Sequence, residues 1–332
     1  MGEPAGPRRA AGAAAGLGAC LVLACALRLL AGPEGLAPPD SPAVWAIRLT
    51  RVVGAAVVGA SLACAGVMLQ AALRNPLAAP SVLGLTTGAG FAVALTVFAA
   101  GAASQALLAA PFAAAGAGAL AALALVLLLA RRRGGAEPLT LILVGVIVSS
   151  IFSAATMFLQ HLTPDAGLAL TSRWLLGAIS DDIHPAALTL AAVLTAAGVG
   201  AGIVLGPRMD AACLSDDEAF SLGVDPARLR LLLLVIAGLL TAAATALAGP
   251  IAFVGLLCPH MARLLAGPAH RPLTPLAAVA GAALLVLADA VVRLVDLGAG
   301  RMPIGVLTAL VGGPAFLVLL QRKWRTLMGA AA

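Results

Sequence analysis

Long apolar blocks, broken by short polar connections, make up most of this chain. About 20 apolar residues in a helix cross the ~30 Å hydrocarbon layer of a bilayer. Ten blocks are candidates for spans: 10–31, 52–73, 82–101, 106–130, 139–161, 186–206, 229–248, 251–265, 275–295 and 303–321. The eighth is too short to cross at about 1.5 Å per residue. It follows the Gly249-Pro250 turn, and short or broken membrane helices lie against protein or line a cavity. The pattern predicts an all-α, polytopic membrane protein, one transmembrane domain over residues 1–332.

Two connections are longer than a link needs, 162–185 and 207–228. In the second, Ser215 stands three residues before Glu218, the spacing of a capping box. Gly223 can end such a helix, and Leu214, Phe220 and Leu222 give it apolar contacts. A short amphipathic helix is expected there. Gly198, Gly202 and Gly206 repeat every four residues, as do Gly84 and Gly88; this spacing is read as close helix packing.

Composition agrees with the pattern. Hydrophobic residues make up 62% of the chain and charged residues 10%, against about 25% charged in a soluble domain. The net charge of +6 is scattered over connections, without a basic stripe interleaved with aromatics, so nucleic acid is not an expected partner. The charge reports orientation instead. With both termini in the cytoplasm, fourteen of the 20 Lys and Arg fall on the inside and six on the outside, as the positive-inside bias requires. The loop 207–228 then faces the cytoplasm and 162–185 faces out. Arg8 and Arg9 precede the first block, and Leu17-Gly18-Ala19-Cys20 has the layout of a lipoprotein signal. Because the apolar run continues through Leu30, it is read as the first span. Tyrosine is absent and Ala, Gly and Arg are abundant, which suggests a GC-rich bacterial genome and hence a bacterial cell membrane.

Little in the chain points to chemistry of its own. Four of the five cysteines lie in apolar segments and no Cys-x-x-Cys occurs, so neither a disulfide framework nor a zinc site is expected. His161, His184 and His260 stand singly, without a second ligand at metal spacing. There is no Gly-x-x-x-x-Gly-Lys-[Ser/Thr] loop, so the chain is not expected to bind ATP. No cofactor is expected, and no nucleophile, base and orienting group can be assembled, so the chain is not read as an enzyme. Asp289 lies inside the ninth block with Arg293 four residues on, and these two are expected to pair on one helix face.

A series of motifs carries more. In order they are Arg48-Leu49-Thr50-Arg51, Gly59 to Gln70, Arg74-Asn75-Pro76-Leu77-Ala78-Ala79-Pro80, and Leu83-Gly84. Then come Arg173-Trp174-Leu175-Leu176-Gly177, Leu222-Gly223-Val224, Gly249-Pro250 with Phe253 and Gly255, and Pro259-His260 with Arg263. Asp289 with Arg293, Pro303-Ile304-Gly305 and Gly313-Pro314 with Phe316 complete the series. Over about residues 45–325 the chain resembles the FecCD family, the iron-chelate and cobalamin permeases of type II ATP-binding cassette (ABC) importers. It departs from that pattern at Thr50, where the family usually has proline. It departs again at Gly300-Arg301-Met302, where the family has an acidic residue and leucine.

The resemblance implies a ten-span permease that pairs with a second copy of itself, with two cytoplasmic ATP-binding subunits and an extracytoplasmic substrate-binding protein. It implies that Arg48, Arg51 and Arg293 meet acidic residues of the binding protein, which suits the planar guanidinium. The segment Leu214, Ser215, Asp216, Asp217, Glu218, Phe220, Leu222 and Gly223 is read as the contact with the ATP-binding subunit. Gln70, Asn75 and Leu77 are read as a cytoplasmic gate, with Ser149, Ser150, Ser153, Thr156 and Met157 lining the path. The expected cargo is a siderophore, with haem or cobalamin behind it. The alternative reading is an ion- or proton-coupled carrier, which needs ionisable residues along its path.

Overall fold

A computed structural model of the chain describes residues 7–32, 35–100, 110–131, 137–295 and 301–329. A helix lies over each of the ten apolar blocks. They are α1 (Pro7–Leu30), α2 (Pro42–Ala72), α3 (Leu85–Ala100), α4 (Ala110–Arg131) and α5 (Pro138–Leu162), followed by α7 (Pro185–Ala212), α9 (Pro226–Ala248), α10 (Val254–Ala266), α11 (His270–Leu294) and α12 (Ile304–Gly329). Between them stand α6 (Asp165–Leu175) and α8 (Asp216–Ser221). Among the described residues, seven helices are long and apolar enough to cross a membrane, and α3, α10 and the apolar part of α12 are shorter. After α1 a two-residue strand, β1 (Ala31–Gly32), pairs antiparallel with β2 (Gly35–Leu36).

Local chemistry sets several boundaries. The Ser41 hydroxyl accepts from the Val44 N–H and Pro42 stands at the first position of α2. This cap starts the helix ten residues ahead of the expected 52, because a polar cap and a proline suited to N1 outweigh the hydropathy edge. Arg48, Thr50 and Arg51 are therefore inside α2, and Thr50 does not sit at its start. Asp225 caps α9 through the Ala227 and Arg228 N–H groups, again with proline next. Helix α7 runs to Ala212, six residues beyond its apolar block and through Pro207, so the connection to α9 is shorter than expected. The segment 162–185 contains a helix, α6, that the hydropathy pattern did not reveal. Arg132 and Arg133 of the inside set lie outside the described residues.

The core is built around α2, α9 and α11. Their most apolar windows are 78%, 67% and 72% buried, whereas that of α1 is 6% buried and faces outward. Helix α2 packs against α11, α9, α7 and α10. Backbones approach closely where glycines meet: a Cβ on Gly66 would stand 1.9 Å from the Gly255 carbonyl oxygen, and one on Gly59 would stand 2.1 Å from that of Gly281. The repeat in α7 has the packing role expected of it, with Gly198 against Leu240, Gly202 against Thr274 and Gly206 against Arg271.

A second junction joins two stretches of non-helical backbone to the first turn of α12. Gly177 and Gly249 have φ of 71° and 69°. The Ala178 N–H donates to the Ala248 carbonyl (2.8 Å), and the Gly305 N–H donates to the Gly177 carbonyl (3.1 Å). A Cβ on Gly177 would stand 2.3 Å from the Pro250 oxygen. Irregular backbone is tolerated in a membrane where it is buried in protein like this. Helix α10 starts from this junction at Phe253, a non-glycine residue in the left-handed region (φ 67°).

The Gly66–Gly255 contact is the most restrictive test of this packing. Gly66→Ala forces α2 and α10 apart and is expected to cost roughly 1–3 kcal/mol. Gly200→Ala, where a Cβ meets nothing within 4 Å, is expected to be neutral. Unfolding of the purified variants in detergent measures both.

Candidate functional site

At one end of the bundle a buried carboxylate gathers charge from three elements. Asp289 on α11 has no exposed surface. Its Oδ2 accepts from Arg28 Nε, at the end of α1, and its Oδ1 accepts from Arg51 Nη2 on α2 at 2.6 Å. Arg28 is 1% exposed. Asp289 thus pairs with Arg28 and Arg51 and not with Arg293, the expected i,i+4 partner. Two guanidinium groups on other helices reach it, and a fixed pair on one helix face would leave them unmatched. Arg51 also donates through Nη1 to Asp181 (2.7 Å), in the connection before α7. Burial pushes the Asp181 carboxyl up, but the bond and charge of Arg51, with Arg293 and Arg28 further off, hold it below the usual carboxylate range.

Arg48, also on α2, is tied to backbone. Its Nη1 donates to the carbonyls of Leu29 (2.6 Å) and Ala37 (2.8 Å), one of them near the end of α1. Arg293 is half-buried, in the last turn of α11. Of the three arginines expected to meet a partner, Arg48 and Arg51 are therefore engaged within the chain. Sequence reasoning missed Arg28 and Asp181. The signal for Arg28 was a charged residue next to a long apolar run, and burial requires such a group to find a counter-ion.

The other end holds the expected gate and coupling residues. Gln70 is 4% exposed; its amide donates to the Gly255 carbonyl and its Oε1 accepts from Arg263 at 2.5 Å, which ties α2 to α10. Asn75 closes a tight turn, its Oδ1 accepting from the Leu77 N–H (2.9 Å), and Leu77 is exposed. On α5 the five candidate lining residues divide. Ser150 and Met157 are exposed, Ser149 and Ser153 half-buried, and Thr156 buried. The hydroxyls of Ser150 and Thr156 bond carbonyls of their own helix.

Helix α8 carries the capping box in full. The Ser215 hydroxyl accepts from the Glu218 N–H, and the Ser215 N–H donates to the Glu218 carboxylate. These contacts hold the Glu218 carboxyl below its usual range. Gly223 leaves the helix with φ 76°. Leu214 is half-buried and Ala219 buried, whereas Asp217, Phe220 and Leu222 are exposed, so the large apolar side chains of α8 and its C-cap are left uncovered by this chain. Arg74, at the end of α2, pairs with Asp216 at 2.5 Å, and Asp210 near the end of α7 holds the His270 ring and N–H at the start of α11 (2.6 and 3.0 Å). A cavity of about 510 Å³ opens here between α2, α7 and the α10–α11 connection.

Between the ends lies a cavity of about 390 Å³, bounded by Pro80 and Ser81, by Pro250 to Phe253, and by Gly305 to Leu310 on α12. None of its lining residues is ionisable. His260 packs edge-on to Phe316 (6.2 Å between ring centres), and among the described residues no group of three His, Cys, Asp or Glu could hold a metal.

Long apolar helices, with the ion pairs of the described residues gathered toward the two ends of the bundle, are the build of a multi-pass membrane protein. The chain matches the FecCD transport family over residues 13–322 and belongs to it. It is 39% identical over 283 residues to the cobalamin import system permease protein BtuC of Halobacterium salinarum, covering 84% of this chain and 73% of that protein. It is 37% identical over 306 residues to the vitamin B12 import system permease protein BtuC of Vibrio cholerae, covering 90% of each. It is 34% identical over 327 residues to the ferric enterobactin transport system permease protein FepD of Escherichia coli, covering 93% and 95%. A solved transporter described as of the metal-chelate ABC type, in an inward-facing conformation, superposes with a TM-score of 0.82 at 32% identity, covering 94% of this chain and 99% of that one. The protein is a permease subunit of the type II ABC importer class, not itself catalytic.

The buried cluster sets a quantitative expectation. Asp289→Ala leaves Arg28 and Arg51 facing each other without their shared carboxylate, and losing one partner of a buried pair costs about 3–5 kcal/mol. We expect this variant to insert poorly or to unfold at lower temperature in detergent. Asp181→Asn, at a half-exposed position, should be far milder, and fluorescence size-exclusion of the heated variants reads the difference.

Proposed function

We propose that this permease carries a metal chelate into a bacterial cell, a ferric siderophore first, with haem or cobalamin next, driven by ATP hydrolysis on a separate subunit. The observation that carries this reading is the uncharged lining of the central cavity, together with the engagement of Asp289 by two arginines at one end. A proton- or ion-coupled carrier needs a free ionisable group along its path, and Asp289 is not free. An apolar, hydroxyl-dotted cavity suits a bulky cargo whose metal is already wrapped. Cobalamin, hemin, iron(3+)-hydroxamate and ferric enterobactin are named for relatives at 34–39% identity, which supports the chelate class and leaves its member to experiment.

In this reading two copies face each other, with Gln70, Asn75 and Leu77 at the cytoplasmic gate and Ser149, Ser150, Ser153, Thr156 and Met157 toward the path. The binding protein docks on Arg48, Arg51 and Arg293. Arg48 and Arg51 would then act mostly by shaping that surface, since internal partners already hold them, and Arg293 would meet the partner's carboxylates more directly. The ATP-binding subunit seats on Leu214 to Gly223, where Phe220 and Leu222 project unburied. Both termini lie in the cytoplasm.

Orientation is checked by labelling. In a background without native cysteines, an impermeant maleimide added outside should reach a cysteine at Asp165 and not one at Glu218. The reverse pattern overturns the topology. Function is checked in proteoliposomes that hold the permease with its ATP-binding subunit and binding protein. Radiolabelled ferric siderophore should accumulate only with ATP, and should still do so when a protonophore is added. Phe220→Asp places an unpaired charge in the subunit contact, costing several kcal/mol if it is buried, and should abolish assembly or coupled hydrolysis while the permease still inserts. ATP-independent uptake that the protonophore stops would replace this reading with the ion-coupled one.

A further inference from the structure

Helix α8 makes few contacts with the rest of its own chain. Only Ala219 of its six residues is buried. Its firmest tie is the ion pair between Asp216, its first residue, and Arg74. Arg74 is where α2 ends, in a left-handed conformation (φ 47°). The next residues, Asn75 to Leu77, form the tight turn closed by the Asn75 side chain. The Arg74 Nε also donates to the Ala212 carbonyl, at the end of α7 (2.7 Å). On the far side, Arg230 of α9 approaches the same Asp216 oxygen (3.7 Å) and donates to the Ala72 carbonyl, two residues before Arg74 (3.1 Å). One carboxylate on α8 is thus held by two guanidinium groups that are both anchored on the last turns of α2.

We infer that the Arg74–Asp216 pair is the link by which movement of α8 reaches the turn at Asn75–Leu77, so that both are positioning residues for the gate. The inference rests on the reading of α8 as the coupling element and of Leu77 as part of the gate. Several features fit that task. The Arg74 and Asp216 side chains are 29% and 59% exposed, so water screens the pair and its loss leaves the fold standing. The guanidinium holds a fixed planar geometry, which transmits displacement better than a flexible ammonium. Arg74 has no residue between its backbone and the turn, so a pull on its side chain is a pull on Asn75.

The test uses the full complex of permease and ATP-binding subunit in nanodiscs. Cys20 and Cys213 are replaced by serine and one reporter is introduced, Leu77→Cys. The readouts are assembly, the rate of ATP hydrolysis and the change in maleimide labelling of position 77 when ATP is added. With the pair intact, ATP should change the labelling rate by at least about fivefold. Arg74→Gln should abolish that change while assembly and hydrolysis continue, and Asp216→Asn should abolish it too. The double variant should be no worse than either single one, as for two residues acting through one contact, and Asp216→Glu should restore the response. Either single variant keeping the response, or Arg74→Gln losing assembly with it, overturns the link. So does a double variant whose effects add. Failure of the underlying reading looks different: Phe220→Asp would assemble and hydrolyse ATP normally, or position 77 would ignore ATP in the otherwise unaltered complex.

Discussion

Asp289 sits where water cannot reach it, and the guanidinium groups of Arg28 and Arg51 converge on its two oxygens. In that setting each charge is tolerable only because the others are present. The cluster therefore fixes the relative placement of α1, α2 and α11, and through Asp181 it reaches the connection before α7. Helix α1 is otherwise a lipid-facing helix with little buried surface. Its attachment at this end depends on Arg28 and on the Arg48 bond to Leu29. The surface at this end of the bundle is thus held by the same charges that join the helices.

Away from this end the constraint is on the backbone. A membrane supplies no water to unpaired peptide groups, yet α9 and α10 are separated by non-helical residues in mid-bundle. After α6, Ala178 donates to the Ala248 carbonyl at the end of α9, and the neighbouring Gly177 carbonyl accepts from Gly305 at the start of α12. A side chain at Gly177 or Gly305 would collide with a carbonyl. This packing leaves the central cavity lined by small and apolar residues on one side and by α12 on the other. A broken helix beside a cavity is a place where segments can shift without losing whole helical turns of hydrogen bonds.

The opposite end is built by polar contacts between helix ends. Gln70 with Arg263, Arg74 with Asp216, and Asp210 with His270 each join two elements. The large apolar side chains of α8 and its C-cap, in contrast, are left uncovered. A short capped helix that spends polar residues on its own protein leaves Phe220 and Leu222 exposed, as the proposed subunit contact requires.

Much of this could be read along the chain. Hydropathy located all ten apolar helices, because length and apolar content are local quantities. The Ser215–Glu218 box located α8 for the same reason. The motif series revealed the family, and the cation bias proposed an orientation. Tertiary structure decided the rest. Hydropathy could not see that α2 begins at a serine cap, or that α6 exists, because polar and short helices carry little apolar signal. It could not tell which arginine meets Asp289. Spacing offered Arg293, four residues away, while the partners are 261 and 238 residues distant in sequence. Nor could it explain why Gly177, Gly249 and Gly305 recur as motif residues until the fold brought their backbones together. Helices are written locally, in composition and caps. The pairing of charges and the close approach of glycines exist only once the helices are packed.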